Sequence, residues 1–429
     1  MRIYLDSIGC RLNQSEIENY ARQFRVAGHI LVSSADEADL AVINTCTVTN
    51  AADSDSRGKI RQAVRAGTKR VVVTGCWTTL NPEQAEKMLG VSQVIHNKEK
   101  DHLVSKLLQI PIEKFELEPV ARELIPGARL RTRAFIKVQD GCDNHCTFCV
   151  TTIARGDGKS RSQEEILADI QAVVNSEENG NNDAKEIVLT GVHLGSWGKD
   201  FPTKKHLSDL IQVILDKTAV PRVRISSLEP WDLDEDFFNL WDDPRLCRHL
   251  HLPLQSGSRT VLRRMARNTS PEKFADLVSA ARAACPEIAI TTDLIAGFPG
   301  ETDQEFLDTV DFIQQMSFSG GHVFTYSARP GTSAEKMPDQ IDFPIRKERN
   351  AKLREVLGES AQTYQHKFLN HTLPVLWESV SQMDSDSWHL HGLTDNYLRV
   401  HANTAQNYWN QITPVRLSSI DENGLTGTI

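Results

Sequence analysis

No run of 18 apolar residues occurs in this 429-residue sequence, and its first residues lack a charged-then-apolar leader. Neither a helical membrane span nor a secretory route is expected on that ground, and a cytosolic protein without a membrane partner is. Low-complexity tracts and sequence repeats are missing too, so a chain of this length is expected to divide into two or three domains. Positive charge is in deficit. The 48 Lys and Arg against 57 Asp and Glu leave a net charge of −9, so nothing attracts RNA or an anionic surface to the molecule as a whole. Contact with nucleic acid would need a local basic patch. Cysteine is what the sequence does have. Eight cysteines in a cytosolic chain argue against a disulfide framework and for metal binding or catalysis.

Three of them organise the chain. The apolar run Ala134-Phe-Ile-Lys-Val138 reads as a strand, ended by the turn signal Asp140-Gly141. Cys142, Cys146 and Cys149 follow at C-x3-C-x2-C spacing. Three thiolates on one loop suit three irons of a 4Fe–4S cluster. The fourth iron then stays open to a ligand, as an open zinc site stays open to water. A structural zinc loop is the competing reading. Zinc needs four ligands, and no fourth Cys or His falls at ribbon spacing, His145 lying inside the loop.

The first 98 residues alternate strands with helices, which implies a parallel sheet covered on its faces. Arg2–Leu5, Leu40–Ile43 and Val71–Val73 are the strands, leading to Cys10, Cys46 and Cys76. Helical faces carry Ile17, Tyr20, Ala21 and Phe24, then Ile60, Ala63 and Val64, and Asn81 is placed to cap a helix starting at Pro82. Strands of a parallel sheet share one carboxyl edge, where ligands bind. That geometry gathers Cys10, Cys46 and Cys76, and the expectation is a second three-thiolate cluster. Three small buried residues at strand ends are the alternative.

With both triads in view, the chain resembles the methylthiotransferases of the radical S-adenosylmethionine (SAM) superfamily. The resemblance rests on Gly9-Cys10-Arg11-Leu12-Asn13, Asn44-Thr45-Cys46-Thr47-Val48-Thr49, Thr74-Gly75-Cys76, the Cys142–Cys149 loop with Phe148 before its last Cys, Leu252–Ser258 and Asp293–Thr302. Thr47-Val48-Thr49, Leu189–Gly195 and Arg224–Pro230 resemble most the branch that acts on threonylcarbamoyladenosine at tRNA position 37. Branches acting on isopentenyladenosine or on a ribosomal-protein aspartate are the neighbouring alternatives. Many members carry a proline after the last Cys of the loop, whereas Thr151-Thr152-Ile153 stand here.

Residues 99–128 read as a linker opened by a short helix and broken by Pro111, Pro119 and Pro126-Gly127. Residues 129–343 hold six strand–helix units, with strands near 134–138, 186–190, 222–226, 248–252, 288–294 and 321–326, which implies a partial (βα)6 barrel. Its carboxyl-end face carries the chemistry. Thr190, Gly191, Ser226, Gln255, Ile295 and Gly297 follow successive strands and are expected to line the pocket, where the resemblance places SAM. Arg129, Arg131 and Arg133, and then Arg259, Arg263, Arg264 and Arg267, are candidate RNA-facing stripes or solvated faces. His249 and His251 show no partner carboxylate in sequence, and Cys247 and Cys285 read as inert.

Residues 344–369 read as a helical connector, and 370–429 as short strands forming a small β-barrel. Gly392–Tyr397 resembles the TRAM domain that ends these enzymes and binds RNA. Residues 370–429 hold two Arg, no Lys and six acidic residues, so phosphate contact there is weak; stacking by Trp388 or Tyr397, or capping of the larger barrel, is the alternative role. The fold class is thus α/β, with an N-terminal parallel domain, a central partial barrel and a C-terminal β-barrel. The resemblance implies two 4Fe–4S clusters and SAM, both as radical source and as methyl donor. It also implies a tRNA anticodon loop as substrate and an external electron donor. A non-enzymatic two-cluster electron carrier is the remaining class, and it would need four protein ligands per cluster.

Overall fold

The computed structural model describes residues 1–115, 125–126, 131–174, 183–234, 236–384 and 387–429. Pro119, Gly127 and Arg129 lie outside the described residues. The chain forms two compact units. The first comprises Met1–Asn144, Val150–Asp183 and Thr190–Val192; the second comprises His145–Cys149, Ala184–Leu189 and His193–Ile429.

In the first unit, β1 (Arg2–Ser7), β2 (Ile30–Leu31), β3 (Leu40–Thr45), β4 (Arg70–Gly75) and β5 (Val91–Val94) form a parallel sheet in the order β2-β1-β3-β4-β5. Alternate side chains leave opposite faces of a strand. Ile3, Leu5, Leu40, Val42 and Val72 therefore pack with Ile17, Tyr20 and Phe24 of α1 (Arg11–Val26). Ala41, Ile43, Val71 and Val73 pack with Ile60 and Ala63 of α2 (Asn50–Arg65). Both faces being covered, β3 is buried throughout. Thr49 caps α2 by accepting from the Ala52 N–H at 3.1 Å. Short helices α3 (Cys76–Leu80), α4 (Pro82–Glu86) and α5 (Leu103–Leu108) complete this part. Pro82 does open α4, but the Asn81 side chain does not cap it; its Nδ2 donates back to the Trp77 carbonyl at 3.1 Å. Next come β6 (Arg133–Lys137), β7 (Gln139–Asp140), α6 (Thr151–Arg155), β8 (Lys159–Ser160) and α7 (Gln163–Val174), with β7 and β8 antiparallel.

The second unit continues with β9 (Glu186–Thr190), α8 (Leu207–Lys217), β10 (Arg222–Ile225), β11 (His249–His251), α9 (Arg259–Arg264), α10 (Pro271–Ala284), β12 (Ala289–Ala296), α11 (Asp303–Met316) and β13 (Gly320–Thr325); strands and helices alternate as the sequence pattern indicates except between β10 and β11, where only the 3-10 turns Pro230–Asp232 and Asp236–Asp242 intervene. β9 pairs parallel to β10, and β11, β12 and β13 pair in parallel; parallel bridges at Val223–Leu246 and Ser227–His251 join the two groups. α12 (Phe343–His366) leads to a closed barrel of β14 (Thr372–Asp384), β15 (Ser387–Thr394), β16 (Arg399–Thr404), β17 (Ile412–Asp421) and β18 (Gly424–Thr428). The run Tyr397-Leu398-Arg399-Val400 reads from sequence as one of the short strands, but Tyr397 sits instead in a turn at φ +66°, its ring stacked on His249 with centroids 4.1 Å apart. It is therefore already engaged and not a free platform for a base. Trp388 is half-buried against the barrel core.

The small barrel caps the larger α/β assembly through arginines of β10 and β11. Arg222 donates to the carbonyls of Pro374 and Leu393 at 2.7 and 3.1 Å, and Arg224 to those of Thr394 and Asp395 at 3.1 and 3.0 Å. Arg248 donates to the Asp395 carboxylate at 2.6 and 3.1 Å. No helix among the described residues is long and apolar enough to cross a membrane.

At the N-terminus of α11, Thr302 and Glu305 form a capping box, and Arg264 holds Glu305 with bonds of 3.0 and 2.7 Å. Burial pushes the Glu305 carboxyl up, but the bonds from Arg264, Thr260 and the Thr302 N–H outweigh it and hold the group at about 2. A depressed carboxylate stabilises the fold above its unfolded value of 4.5 and ceases to do so as pH falls toward about 2. Glu305→Gln is accordingly expected to lower Tm at pH 7 and to have little effect at pH 2; acid titration of thermal unfolding checks this.

Candidate functional site

Cys10, Cys46 and Cys76 follow β1, β3 and β4 and stand at the carboxyl edge of the parallel sheet, as the alternation required. Gly75, at φ +101°, lets β4 turn into α3, and a Cβ there would meet the Thr45 carbonyl oxygen at 2.3 Å. The Cys46 N–H donates to the Ser56 hydroxyl at 3.0 Å, and that hydroxyl donates in turn to the Cys46 carbonyl at 2.9 Å. Burial pushes the Cys46 thiol up to about 11, with Cys10 and Cys76 adding to the rise and the Val48 and Thr47 N–H groups opposing it. Crowding likewise raises Cys10, opposed first by the Arg155 guanidinium. The three thiols thus stand in one another's field.

A buried charge cluster adjoins them. Lys100 Nζ lies 2.6 Å from both Glu16 and Asp140, Lys137 lies 2.9 Å from Asp140, and Arg155 lies 3.0 and 2.9 Å from Glu16 and Asp140. Burial pushes Glu16 up, but Arg155, Lys100 and Lys137 hold it at about 2. None of these partners was evident in the sequence, because they come from α1, the segment before α5, β6, β7 and α6. Cys142 belongs to this same unit, its N–H donating to the Gly156 carbonyl at 3.0 Å. So do Thr190 and Gly191. The Val138 N–H donates to the Thr190 carbonyl at 2.9 Å, and a Cβ on Gly191 would lie 3.1 Å from Gln139 Oε1.

The second unit holds Cys146, Phe148, Cys149, Ser226, Gln255, Ile295 and Gly297. Thr147 pins the loop there: its hydroxyl donates to the Arg264 carbonyl at 2.9 Å and its N–H to the Met265 carbonyl at 3.1 Å. Phe148 and Ile295 pack in one apolar cluster with Val261, Met265, Phe298 and Tyr326. Gln255 adopts φ +75° and pairs with Leu294, its carbonyl accepting from the Ile295 N–H at 2.9 Å. Gly297, at φ +71°, leaves room for Arg346, whose Cγ a Cβ would meet at 2.2 Å.

Arg267 departs from the sequence reading. It is not part of a solvent-facing arginine stripe. Its side chain is buried, donates to Cys146 Sγ at 3.8 Å and to Glu229 at 3.1 and 2.6 Å, and lies over Trp231. Burial pushes the Cys146 thiol up to about 11, opposed by Arg267. Arg259 and Arg264 are likewise paired, with Glu272 and Glu305. His251 also gains what the sequence did not show, a carboxylate: Asp293, one strand over, lies 3.2 Å away and also 3.3 Å from His322. Against burial, the bonds from these two histidines hold the Asp293 carboxyl well below the usual range. Cys247 and Cys285 are buried, and burial pushes Cys247 up to about 12, in line with an inert role.

Among the described residues no three His, Cys, Asp or Glu side chains converge on one metal-ion position. Cluster ligands need not converge, since each thiolate binds a different iron. The residues fit such a group. Cys146 already accepts a charged hydrogen bond, as cluster sulfurs do. Ser226 Oγ, at the end of β10, is buried without a hydrogen-bond partner, as a group awaiting a polar ligand would be.

The radical SAM superfamily model matches residues 136–313, and the model described as uncharacterized protein family UPF0004 matches residues 2–96. A threonylcarbamoyladenosine tRNA methylthiotransferase MtaB of Bacillus subtilis is 36% identical over 405 residues, spanning 92% of this chain and 88% of the relative. The chain belongs to the radical SAM methylthiotransferases. A relative of the same name from Thermotoga maritima is 34% identical, over 88% of this chain and 86% of its own. A tRNA-2-methylthio-N(6)-dimethylallyladenosine synthase from Caldicellulosiruptor saccharolyticus is 32% identical, over 89% and 83%. The radical SAM methyltransferase TsrM of Kitasatospora setae, solved with cobalamin and a [4Fe–4S] cluster, aligns with a TM-score of 0.58 at 14% identity, over 78% of this chain and 76% of that one, and so shares the fold. This methylthiotransferase is an enzyme, and its superfamily implies SAM and a 4Fe–4S cluster.

Proposed function

We propose that this methylthiotransferase adds a methylthio group to carbon 2 of N6-threonylcarbamoyladenosine at position 37 of tRNA, in the cytoplasm. Relatives named for that nucleoside, at 34–36% identity across most of the chain, favour this substrate. We further propose that Cys142, Cys146 and Cys149 hold the cluster that binds SAM, while Cys10, Cys46 and Cys76 hold a second cluster that handles the sulfur. The single observation carrying the two-cluster reading is the gathering of three thiols from β1, β3 and β4 in the unit that also contains Cys142.

SAM and the first cluster supply the one-electron chemistry that opens an unactivated C–H bond, with the electron coming from an external donor. The chain's own residues bind, orient and exclude water. Arg267 holds the Cys146 sulfur in place. Ser226 Oγ is free to donate to SAM, and Gln255 and Gly297 line the same strand ends. Phe148 and Ile295 form an apolar wall that keeps water from a reactive centre. A second SAM would supply the methyl group. The adenine must leave its stack to be reached, which an anticodon loop permits at small cost.

Relatives named for dimethylallyladenosine, at up to 32% identity, support the second reading. Nucleoside mass spectrometry of tRNA from a deletion strain separates the two. Loss of methylthio-threonylcarbamoyladenosine is expected; loss of methylthio-isopentenyladenosine instead would establish the alternative, and neither loss would reject both.

A further inference from the structure

Arg155 ends α6, six residues after Cys149, and points into the unit that carries the N-terminal thiols. Its Nη2 donates to Asn13 Oδ1 at 2.8 Å, the same oxygen that the Cys10 thiol approaches at 3.7 Å. Its neighbour Ala154 offers a carbonyl to Asn97 Nδ2 at 2.8 Å, and that same nitrogen lies 3.5 Å from Cys76 Sγ. Two consecutive residues of α6 are thus each one side chain away from a thiol of the N-terminal triad.

The charges around Arg155 do not balance. Arg155, Lys100 and Lys137 are three cations, whereas Glu16 and Asp140 are two anions, all with side chains no more than 16% exposed. Asp101 also reaches Lys137, at 3.1 Å, but its side chain is 64% exposed and largely screened by water. Among the buried side chains alone, cations outnumber anions by one, with the exposed Asp101 attracting Lys137 as well. Burying an uncompensated cation is costly, so an arrangement of this kind is stable when an anion completes it. Three thiolates on a cluster supply that anion, and the thiols that face this charge are Cys10 and Cys76.

We infer that Arg155 is a positioning residue for the group held by Cys10, Cys46 and Cys76, and that the surplus positive charge it heads eases reduction of that group. The inference rests on the second-cluster reading above. Net charge and hydrogen bonds near the sulfurs set the potential of an iron–sulfur cluster. Reduction adds an electron, and a nearby unscreened cation stabilises it by Coulomb attraction in a medium of low polarisability. Asn13 and Asn97 hold the two thiols at the edge of this charge. Glu16, which accepts from Nη1 at 3.0 Å, fixes the orientation of the guanidinium and offsets part of its field.

The test uses the full-length chain carrying Cys142→Ala, Cys146→Ala and Cys149→Ala, reconstituted with iron and sulfide, so that only the N-terminal triad can hold a cluster. The cluster is reduced stepwise under a set potential and followed by electron paramagnetic resonance. Arg155→Gln is expected to lower the ratio of reduced to oxidised cluster at fixed potential by about tenfold, which for one electron is about 59 mV. Arg155→Lys should keep most of the original potential. Glu16→Gln removes an anion from the same cluster of charges, and should move the ratio upward. Both neutral substitutions break the same ion pair and lower Tm, so a purely structural role would move the two potentials in one direction or not at all, and that result would overturn the inference. Should Arg155→Gln fail to fold, the sign of the Glu16→Gln shift decides alone. A parent triple variant that binds no iron would instead reject the second-cluster reading, and this inference with it.

Discussion

Cys142→Ala is expected to abolish SAM cleavage, whereas Cys46→Ala is expected to leave cleavage intact and stop sulfur insertion. The loop offers three thiolates and no fourth protein ligand, so losing one leaves two irons without a protein ligand where only one should be open. Cys46 is a buried residue after β3, and alanine removes one atom from a well-packed edge. The sheet it belongs to is covered on both faces by α1 and α2, so it should survive the change. Cleavage is read as 5′-deoxyadenosine and methionine by chromatography, and insertion as the methylthio nucleoside by mass spectrometry. Methylthio product from Cys46→Ala would show that the N-terminal triad does not handle the sulfur.

Arg224→Met should destabilise the second unit by about 3–5 kcal/mol, the usual effect of removing one partner from a buried ion pair. The Arg224 side chain is fully buried, and donates to both Glu186 oxygens at 2.6 and 3.0 Å. Methionine of similar volume fills the space but leaves the Glu186 carboxylate without its main partner, since Arg222 lies 3.9 Å away. It also removes the Arg224 bonds to the carbonyls of Thr394 and Asp395, loosening the seat of the small barrel. The double variant Arg224→Met/Glu186→Leu should recover much of the loss, because no charge then stays buried alone. Denaturant unfolding of the two variants measures both effects. Equal losses would show that the contacts to the small barrel, rather than the ion pair, dominate.

Much of the fold is legible locally. The valine and isoleucine runs of β3 and β4 and the helical spacing of Ile17, Tyr20 and Phe24 each act over a few residues. β2 and β5 escaped because two or four residues, partly exposed, carry too little periodicity. Tyr397 was misread because its apolar neighbours suggested a strand, whereas the stacking on His249 that explains its turn comes from a residue 148 positions earlier. Arg267 was grouped with the surface arginines for the same reason, although Arg259 and Arg263 are indeed exposed. Spacing shows which side chains share a helix face, and cannot show that Glu229, Glu272 and Glu305 will meet them.

By itself the sequence determined the six thiols and their grouping, because three lie within eight residues on one loop and three end strands that a parallel sheet must bring to one edge. It also determined the alternation of strands and helices, which depends on side-chain period alone. Only the tertiary structure decided the electrostatics around those thiols. Arg267 beside Cys146, Arg155 and Asn97 beside the N-terminal triad, and Asp293 between His251 and His322 join residues from separate elements. Ion pairs and hydrogen bonds act over a few ångströms in space, and distance along the chain carries no record of which of them will form.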